Sequence, residues 1–203
     1  MSEADKGTGA VAREAQDILD FWFGAAGSAL HGIQREEWFA KDDAFDAAIR
    51  ERFGADIERA LRGELTAWAH EPASALGRIL LLDQFTRNCF RGTARAFAGD
   101  AQALAAASTL IGSRQDERLP PFMRGFAYLP FEHAEGLTMQ DEAVRLFTRL
   151  AAIEPACESM LDYAHRHRAV IERFGRFPHR NAILGRQSTA EELDYLKQPG
   201  AGF

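Results

Sequence analysis

Residues 72–89 read PASALGRILLLDQFTRNC. Pro72 suits the first turn of a helix, where its missing N–H has no intrahelical partner to lose. Leu76, Ile79, Leu80, Leu81, Leu82, Phe85 and Cys89 then place apolar groups on every side of that helix. A helix that is apolar all round has no solvent face, so this stretch predicts a central helix enclosed by others.

The flanking sequence supplies the enclosing helices. Helical periodicity and helix punctuation recur along the chain, and strand alternation is hard to find. A first helix is expected over Ala10–Phe23, ending at Gly24, with a Gly-rich loop and a short turn near Glu36–Ala40 after it. Asp42 is placed to cap a helix running to Phe53, on which Phe45, Ile49 and Phe53 fall four apart on one face. A further helix is expected from Ala55 to Arg62, stopped by Gly63. Asp100 reads as the cap of an alanine-rich helix to Ile111, stopped by Gly112. Pro120 and Pro121 open a helix to Tyr128, and Pro130 opens another carrying Glu132, His133 and Glu135. The segment Gln140–Ile153 is amphipathic. Pro155 opens a long helix to Phe174, with Gly175 past its end. Ser188 and Thr189 begin a capping box with Glu191 and Glu192. Nine or ten helices with short connections imply an all-α antiparallel array.

Bulk properties agree with one domain over residues 1–203. The chain is 46% apolar and 27% charged, both near globular averages. At this length roughly 70% of the unfolded chain's surface is buried on folding. The first ten residues, MSEADKGTGA, are small and polar, and fraying is expected there. Cys89 and Cys157 read as reduced core thiols rather than a disulfide framework. No run approaches a membrane span, and the start lacks the basic and apolar regions of a secretory signal, so a cytoplasmic location is expected.

Charge is unevenly placed. The net charge is -6, which argues against general nucleic-acid binding. From His165 to Arg186, however, six arginines face a single acid, Glu172; from Arg78 to Arg95, four arginines face Asp83 alone. These stretches carry +5 and +3, leaving -14 for the remainder.

Three stretches hold the groups that can do chemistry. In the first, Asp83 projects from an apolar face and Arg87 lies four residues on, the favourable order for an i,i+4 pair. One reading is an internal ion pair that fixes packing, since a lone buried charge costs about 3–5 kcal/mol. The other is that Asp83 orients Arg87 toward a ligand, with Gln84, Asn88, Arg91 and Arg95 adding donors. Arginine suits this work because its planar fork matches carboxylate and phosphate. In the second stretch, Glu132 and His133 are candidates for acid–base chemistry, against the plainer reading of a packed, hydrogen-bonded helix. In the third, His167 lies on the apolar stripe of the long helix and reads as a hydrogen-bonded core residue or a ligand. After that helix, Arg176, His179, Arg180 and Asn181 crowd into six residues, either as a buried network or as an anion site. No P-loop, GxGxxG after a strand, GxSxG, CxxC or HExxH occurs. No metal site or cofactor is expected. Trp22, Trp38 and Trp68 read as core residues.

The stretches ILDFWFG (Ile18–Gly24), LLDQFTRNCFRGTARAFAGD (Leu81–Asp100), YLPFEHAE (Tyr128–Glu135) and RFGRFPHRNAILGR (Arg173–Arg186) resemble the bacterial domain of unknown function 924 family. The resemblance spans Ile18 to Phe203. The family usually has proline where this chain has Thr86, and serine where it has Ala134; neither change removes a charge. What the resemblance implies is a tetratricopeptide-like arrangement of antiparallel helices curving into a superhelix. It brings no activity with it. Its polar positions fall here on Asp83, Gln84, Arg87, Asn88, Arg91, Arg95, Glu132, His133, Arg173, Arg176, His179, Arg180, Asn181 and Arg186.

Three functions stay open on sequence grounds. The leading one is a module binding a small anion (a phosphorylated metabolite, a nucleotide or a carboxylate) through Asp83, Gln84, Arg87, Asn88, Arg91, Arg95, Arg176, His179, Arg180 and Asn181. The second is a scaffold for a protein or peptide partner. The third is a hydrolase using Glu132 or His133. Oligomeric state is open.

Overall fold

Asp42 begins the architecture where the sequence placed it. In the computed structural model, which describes residues 11–38 and 40–202, its carboxylate accepts from the Ala44 and Phe45 amides and starts α2 (Asp43–Leu61). The ten N-terminal residues, and the expected start of the first helix at Ala10, lie outside the described residues. The first helix, α1 (Arg13–Phe23), ends at Gly24 with φ 82°.

Expectation and structure differ at α2. Gly54 was expected to separate two helices, but the chain runs through it to Leu61. The apolar stripe explains this. Phe45, Ile49, Phe53, Ile57 and Ala60 are all buried on one face, and that continuous burial outweighs the roughly 1 kcal/mol that glycine costs in a helix.

The central helix is built as its sequence required. Pro72 opens α3 (Pro72–Leu80), capped by the Glu71 carboxylate on the Ser74 amide. The helix widens into a π turn over Leu81–Phe85 and resumes as α4 (Thr86–Cys89). Leu76, Ile79, Leu80, Leu81, Leu82 and Phe85 have no exposed surface. Around them lie α1, α5 (Asp100–Gly112) and α6 (Pro121–Glu132), while α2 packs on the π turn.

From there α6, α7 (Leu137–Ile153) and α8 (Glu158–Phe174) stack in chain order. Their short connections make neighbours antiparallel. A last helix, α9 (Ala190–Leu196), follows a 3₁₀ turn at Pro178–Arg180. No strand occurs among the described residues. Among the described residues no helix is long and apolar enough to cross a membrane.

One hydrophobic core joins α1 to α8. Aromatic rings dominate it: Trp22 and Trp38 each pack edge-on against Phe126, with centroids 5.7 and 4.9 Å away. Trp68 is half-buried at its margin. A smaller cluster of Val170, Ile171 and Phe177 sits under α9. Cys89 and Cys157 are free and buried.

A second departure concerns the Glu132 region. Pro130 opens no helix; it lies inside α6, in its last turn. So near the C-terminus the proline removes only one late hydrogen bond, and Phe131 and Pro130 are buried where the helix runs on. Because α6 ends at Glu132, His133 sits at the C-cap and Glu135 lies beyond it. Glu132 and Glu135 therefore do not share a helical face.

A buried carboxylate–imidazole–guanidinium network

Asp83 occupies the middle of the π turn and is completely buried. Such widened turns shift the register of a helix by one residue, and they recur at functional sites. Here the register change is stabilised by Thr86, whose hydroxyl donates to the Leu82 carbonyl at 2.8 Å. Both oxygens of Asp83 are engaged. Oδ2 accepts from Gln84 Nε2 at 2.6 Å, and Oδ1 lies 2.7 Å from His133 Nδ1 and 3.1 Å from Arg87 Nη1. Burial alone would raise the Asp83 carboxyl. The Arg87 guanidinium and His133 beside it win, and hold it well below the usual carboxylate range.

That ionisation state sets the tautomer of His133. A carboxylate accepts only, so Nδ1 must donate the proton. Burial, and then the nearby Arg87 charge, lowers the imidazole's pKa against the pull of Asp83. His133 is therefore neutral at pH 7, with its lone pair on Nε2. No described residue donates to Nε2, and it is not among the atoms sealed from solvent.

Arg87 bridges two acids. Its Nη1 donates to the Asp83 carbonyl at 2.6 Å, while its fork meets Asp100 with bonds of 3.0 and 3.1 Å. Asp100 does not cap α5, as the sequence suggested; no side-chain capping bond exists there. Its carboxylate turns instead to Arg87 and Arg180. Burial raises its pKa, with Asp83 adding to the rise and Arg87 opposing it.

Arg180 comes from the 3₁₀ turn after α8. Its side chain is 7% exposed. The guanidinium lies between the rings of Phe97 and Phe177, 4.7 and 4.5 Å from their centroids. Among the described residues it has one ion-pair contact, Nη1 to Asp100 Oδ2 at 3.3 Å, and its buried Nε has no hydrogen-bond partner. Burial and the Arg87 charge push its pKa down to about 10. His179, next to it, is pushed down to about 4 by burial and by Arg180.

Glu132 faces a different imidazole from the one beside it in sequence. Its Oε1 lies 3.0 Å from His167 Nδ1, which also lies 2.9 Å from the Tyr163 carbonyl. With acceptors on both sides, that nitrogen carries the proton. Glu132 Oε2 is buried with no partner among the described residues. The His133 and His167 rings stand edge to face at 6.2 Å, and His167 packs on Phe177 at 5.5 Å. Two routes therefore link His133 to Arg180, one through Asp83, Arg87 and Asp100, the other through His167 and Phe177.

The structure does not bring all the expected residues to this network. Asn88 and Arg91 meet Asp46 of α2, at 2.6 Å each. Arg95 pairs with Glu58. Arg176 makes a two-bond fork to Glu192 at 2.7 and 2.8 Å, and Asn181 Nδ2 reaches the same acid at 3.2 Å. Arg186 forks onto Glu135, which also accepts from the Phe177 amide. Thus the arginine excess of the two stretches is largely met by acids from distant segments; Arg180 shares its one acid with Arg87, and Arg78 too has a buried Nε with no partner among the described residues. Asp100, Phe97 and Phe177 are the participants that sequence reasoning did not single out for the site. The one available signal was Asp100 itself, an acid closing the family-like stretch LLDQFTRNCFRGTARAFAGD.

Two surface hollows lie away from this network. One of about 230 Å³ is lined by Ile111, Arg114, Asp116, Glu117, Arg145, Leu146 and Arg149. Its arginines are exposed and already face Glu117 and Glu142. The other, of about 470 Å³, is lined by Leu30, Ile33 and the Gln34–Glu37 segment among others. Among the described residues, no three His, Cys, Asp or Glu side chains are grouped to hold a metal ion.

Fold and network together define an all-α helical protein whose core encloses ionised and neutral polar groups on its central helix. The chain belongs to the bacterial family of proteins of unknown function DUF924, whose model matches residues 18–200. It is similar to the solved protein of unknown function ATU0120 from Agrobacterium tumefaciens, with 43% identity and a TM-score of 0.79. The match covers 90% of this chain and 96% of that one. No match is found among curated proteins.

Proposed function

We propose that this chain binds a small anion at Arg180, where α5, the end of α6 and the Pro178–Arg180 turn meet. One observation carries the reading. Among the described residues, a guanidinium that is 7% exposed has a single 3.3 Å ion-pair contact and a buried Nε without a partner. Leaving a buried charged donor unpaired is costly, and a carboxylate or phosphate oxygen is the natural complement of a guanidinium edge. Asp100 offsets Arg180 only in part, because Arg87 takes both oxygens of that carboxylate. The flanking Phe97 and Phe177 rings hold the guanidinium plane and keep water from its faces. This narrows the ligand-binding set expected from sequence to Arg180, Arg87 and His179, with Asp83 and Gln84 as supports.

Calorimetric titration with inorganic phosphate, adenosine monophosphate and succinate tests the proposal. Saturable binding of at least one is expected in the native protein, with at least a tenfold loss in Arg180→Gln, roughly the 1.4 kcal/mol of one charged hydrogen bond. Circular dichroism checks the variant's fold. If Arg180→Gln does not fold, Arg180→Lys keeps the charge and removes the planar fork, and weaker binding is again expected. No binding by any of the three anions, or unchanged binding in the folded variants, overturns the reading.

A further inference from the structure

Resting on that reading, we infer that the site selects an oxyanion that still carries a proton: inorganic phosphate, or a phosphate monoester in its singly charged form. The ligand's anionic oxygens go to Arg180, and its remaining P–O–H donates to His133 Nε2.

The inference comes from the tautomer. Asp83 Oδ1 sits 2.7 Å from His133 Nδ1 and takes the proton of that nitrogen. Gln84 and Arg87 hold the same carboxylate from other sides, so its lone pairs are committed and the imidazole cannot turn over without breaking the set. What the ring presents outward is therefore an acceptor. Nε2 accepts a hydrogen bond from no described residue and is not sealed from solvent. The donor, Arg180, has Asp100 and Arg87 as neighbours in common with His133.

The two ends belong to one site because they are tied by both routes. Along one, Asp83, Arg87 and Asp100 lie in continuous hydrogen-bond contact between them. Along the other, the rings of His167 and Phe177 bridge the gap, with contacts of 6.2, 5.5 and 4.5 Å. The Arg87 charge is felt by both His133 and Arg180. A ligand that lies against Arg180 and reaches His133 must satisfy a donor at one end and an acceptor at the other.

A fully deprotonated anion fails the second demand. Its oxygen would face the Nε2 lone pair, acceptor against acceptor, and leave a desolvated polar group unpaired. Sites built around such a hydrogen bond reject analogues that lack the donor far more strongly than size alone allows. Sulfate is the discriminating probe, since at neutral pH it matches phosphate in shape but has no proton to give.

Phosphate and sulfate titrations on the native protein, read by calorimetry, decide the matter. Phosphate is expected to bind at least tenfold tighter than sulfate. In His133→Gln, whose amide offers a donor as well as an acceptor, the ratio is expected to fall toward one while phosphate binding persists. Should that variant fail to fold, the ¹⁵N shift of His133 Nε2 in the native protein serves instead. It is expected to move on adding phosphate and to stay in place with sulfate. Equal binding of both anions, or a preference unchanged in His133→Gln, overturns this inference and leaves the anion site at Arg180 standing. Binding of neither anion overturns this inference, while the anion site itself still answers to succinate and adenosine monophosphate.

Discussion

Gly99 approaches Leu82 so closely that a Cβ on it would sit 2.1 Å from the Leu82 carbonyl oxygen. This contact brings the first turn of α5 against the π turn of the central helix and sets Asp100 within reach of Arg87. The neighbour is backbone, so it has no rotamer by which to give way. Gly99→Ala is expected to destabilise the protein by about 1–3 kcal/mol or more, as overpacking does. Chemical denaturation measures the effect. A loss under about 0.5 kcal/mol would mean that α5 slides freely.

Gly54 is the opposite case. It lies inside α2 and a Cβ there meets nothing within 4 Å. Gly54→Ala is expected to raise stability by about 0.5–1 kcal/mol, through helix propensity and a less flexible unfolded chain. Urea unfolding of the single variant gives the answer, and a destabilised protein would contradict it.

Removing the Asp83 charge tests the central network. Asp83→Asn keeps the shape, but leaves Arg87 to share Asp100 with Arg180 and strips His133 of its anionic acceptor. Breaking a buried pair in this way is expected to cost about 3–5 kcal/mol. A change below about 1 kcal/mol in the denaturation midpoint would show that the network contributes little to stability.

Acid should destabilise the fold before its carboxylates titrate. Burial, then Arg87, holds His133 below its ordinary pKa; burial, then Arg180, takes His179 to about 4. His179 also faces His167, Glu135 and His133. In the unfolded chain both imidazoles bind protons near pH ~6.5. As pH falls through that value the unfolded state takes up more protons than the folded one, so stability falls. For His179 the loss continues down to about pH 4. Asp100, with its raised pKa, acts with the opposite sign. A falling Tm between these limits, shallower in His179→Gln, is the expected result of a calorimetric pH series. A Tm that rises on acidification would reverse the argument.

The last helix hangs on one capping box. Thr189 Oγ1 accepts from the Glu192 amide at 3.1 Å, and Glu192 Oε2 accepts from the Thr189 amide at 2.7 Å. Ser188, also expected to cap, goes instead to Asn181. Thr189→Ala is expected to cost about 0.5–2 kcal/mol. Glu192→Ala should cost more, because it also releases Arg176 and Asn181. Hydrogen exchange of the α9 amides distinguishes the two; equal protection in both variants would confine the role of Glu192 to its cap.

Local signals determined much of this protein. The all-round apolar run at Leu76–Phe85, the prolines at 72 and 155, the Asp42 and Thr189 caps and the glycine after Phe174 each act over three or four residues, so the chain alone dictates them. The Asp83–Arg87 pair belongs with them, being one helical turn long. Where sequence reading failed, the deciding term was burial by distant segments: Gly54 and Pro130 stayed helical because the stripes they interrupt are packed on both sides. Partner choice was also beyond reach. Asp100 looked like a cap, Glu132 looked like the companion of His133, and Arg91 like part of the same site as Arg87. Only the packing of α2, α5 and α6 around the central helix, and of α8 on α6, gave Asp100 to Arg87, Asp83 to His133, Glu132 to His167 and Asp46 to Arg91. A charge's partner depends on what lies within about 4 Å, and sequence separation does not set that distance.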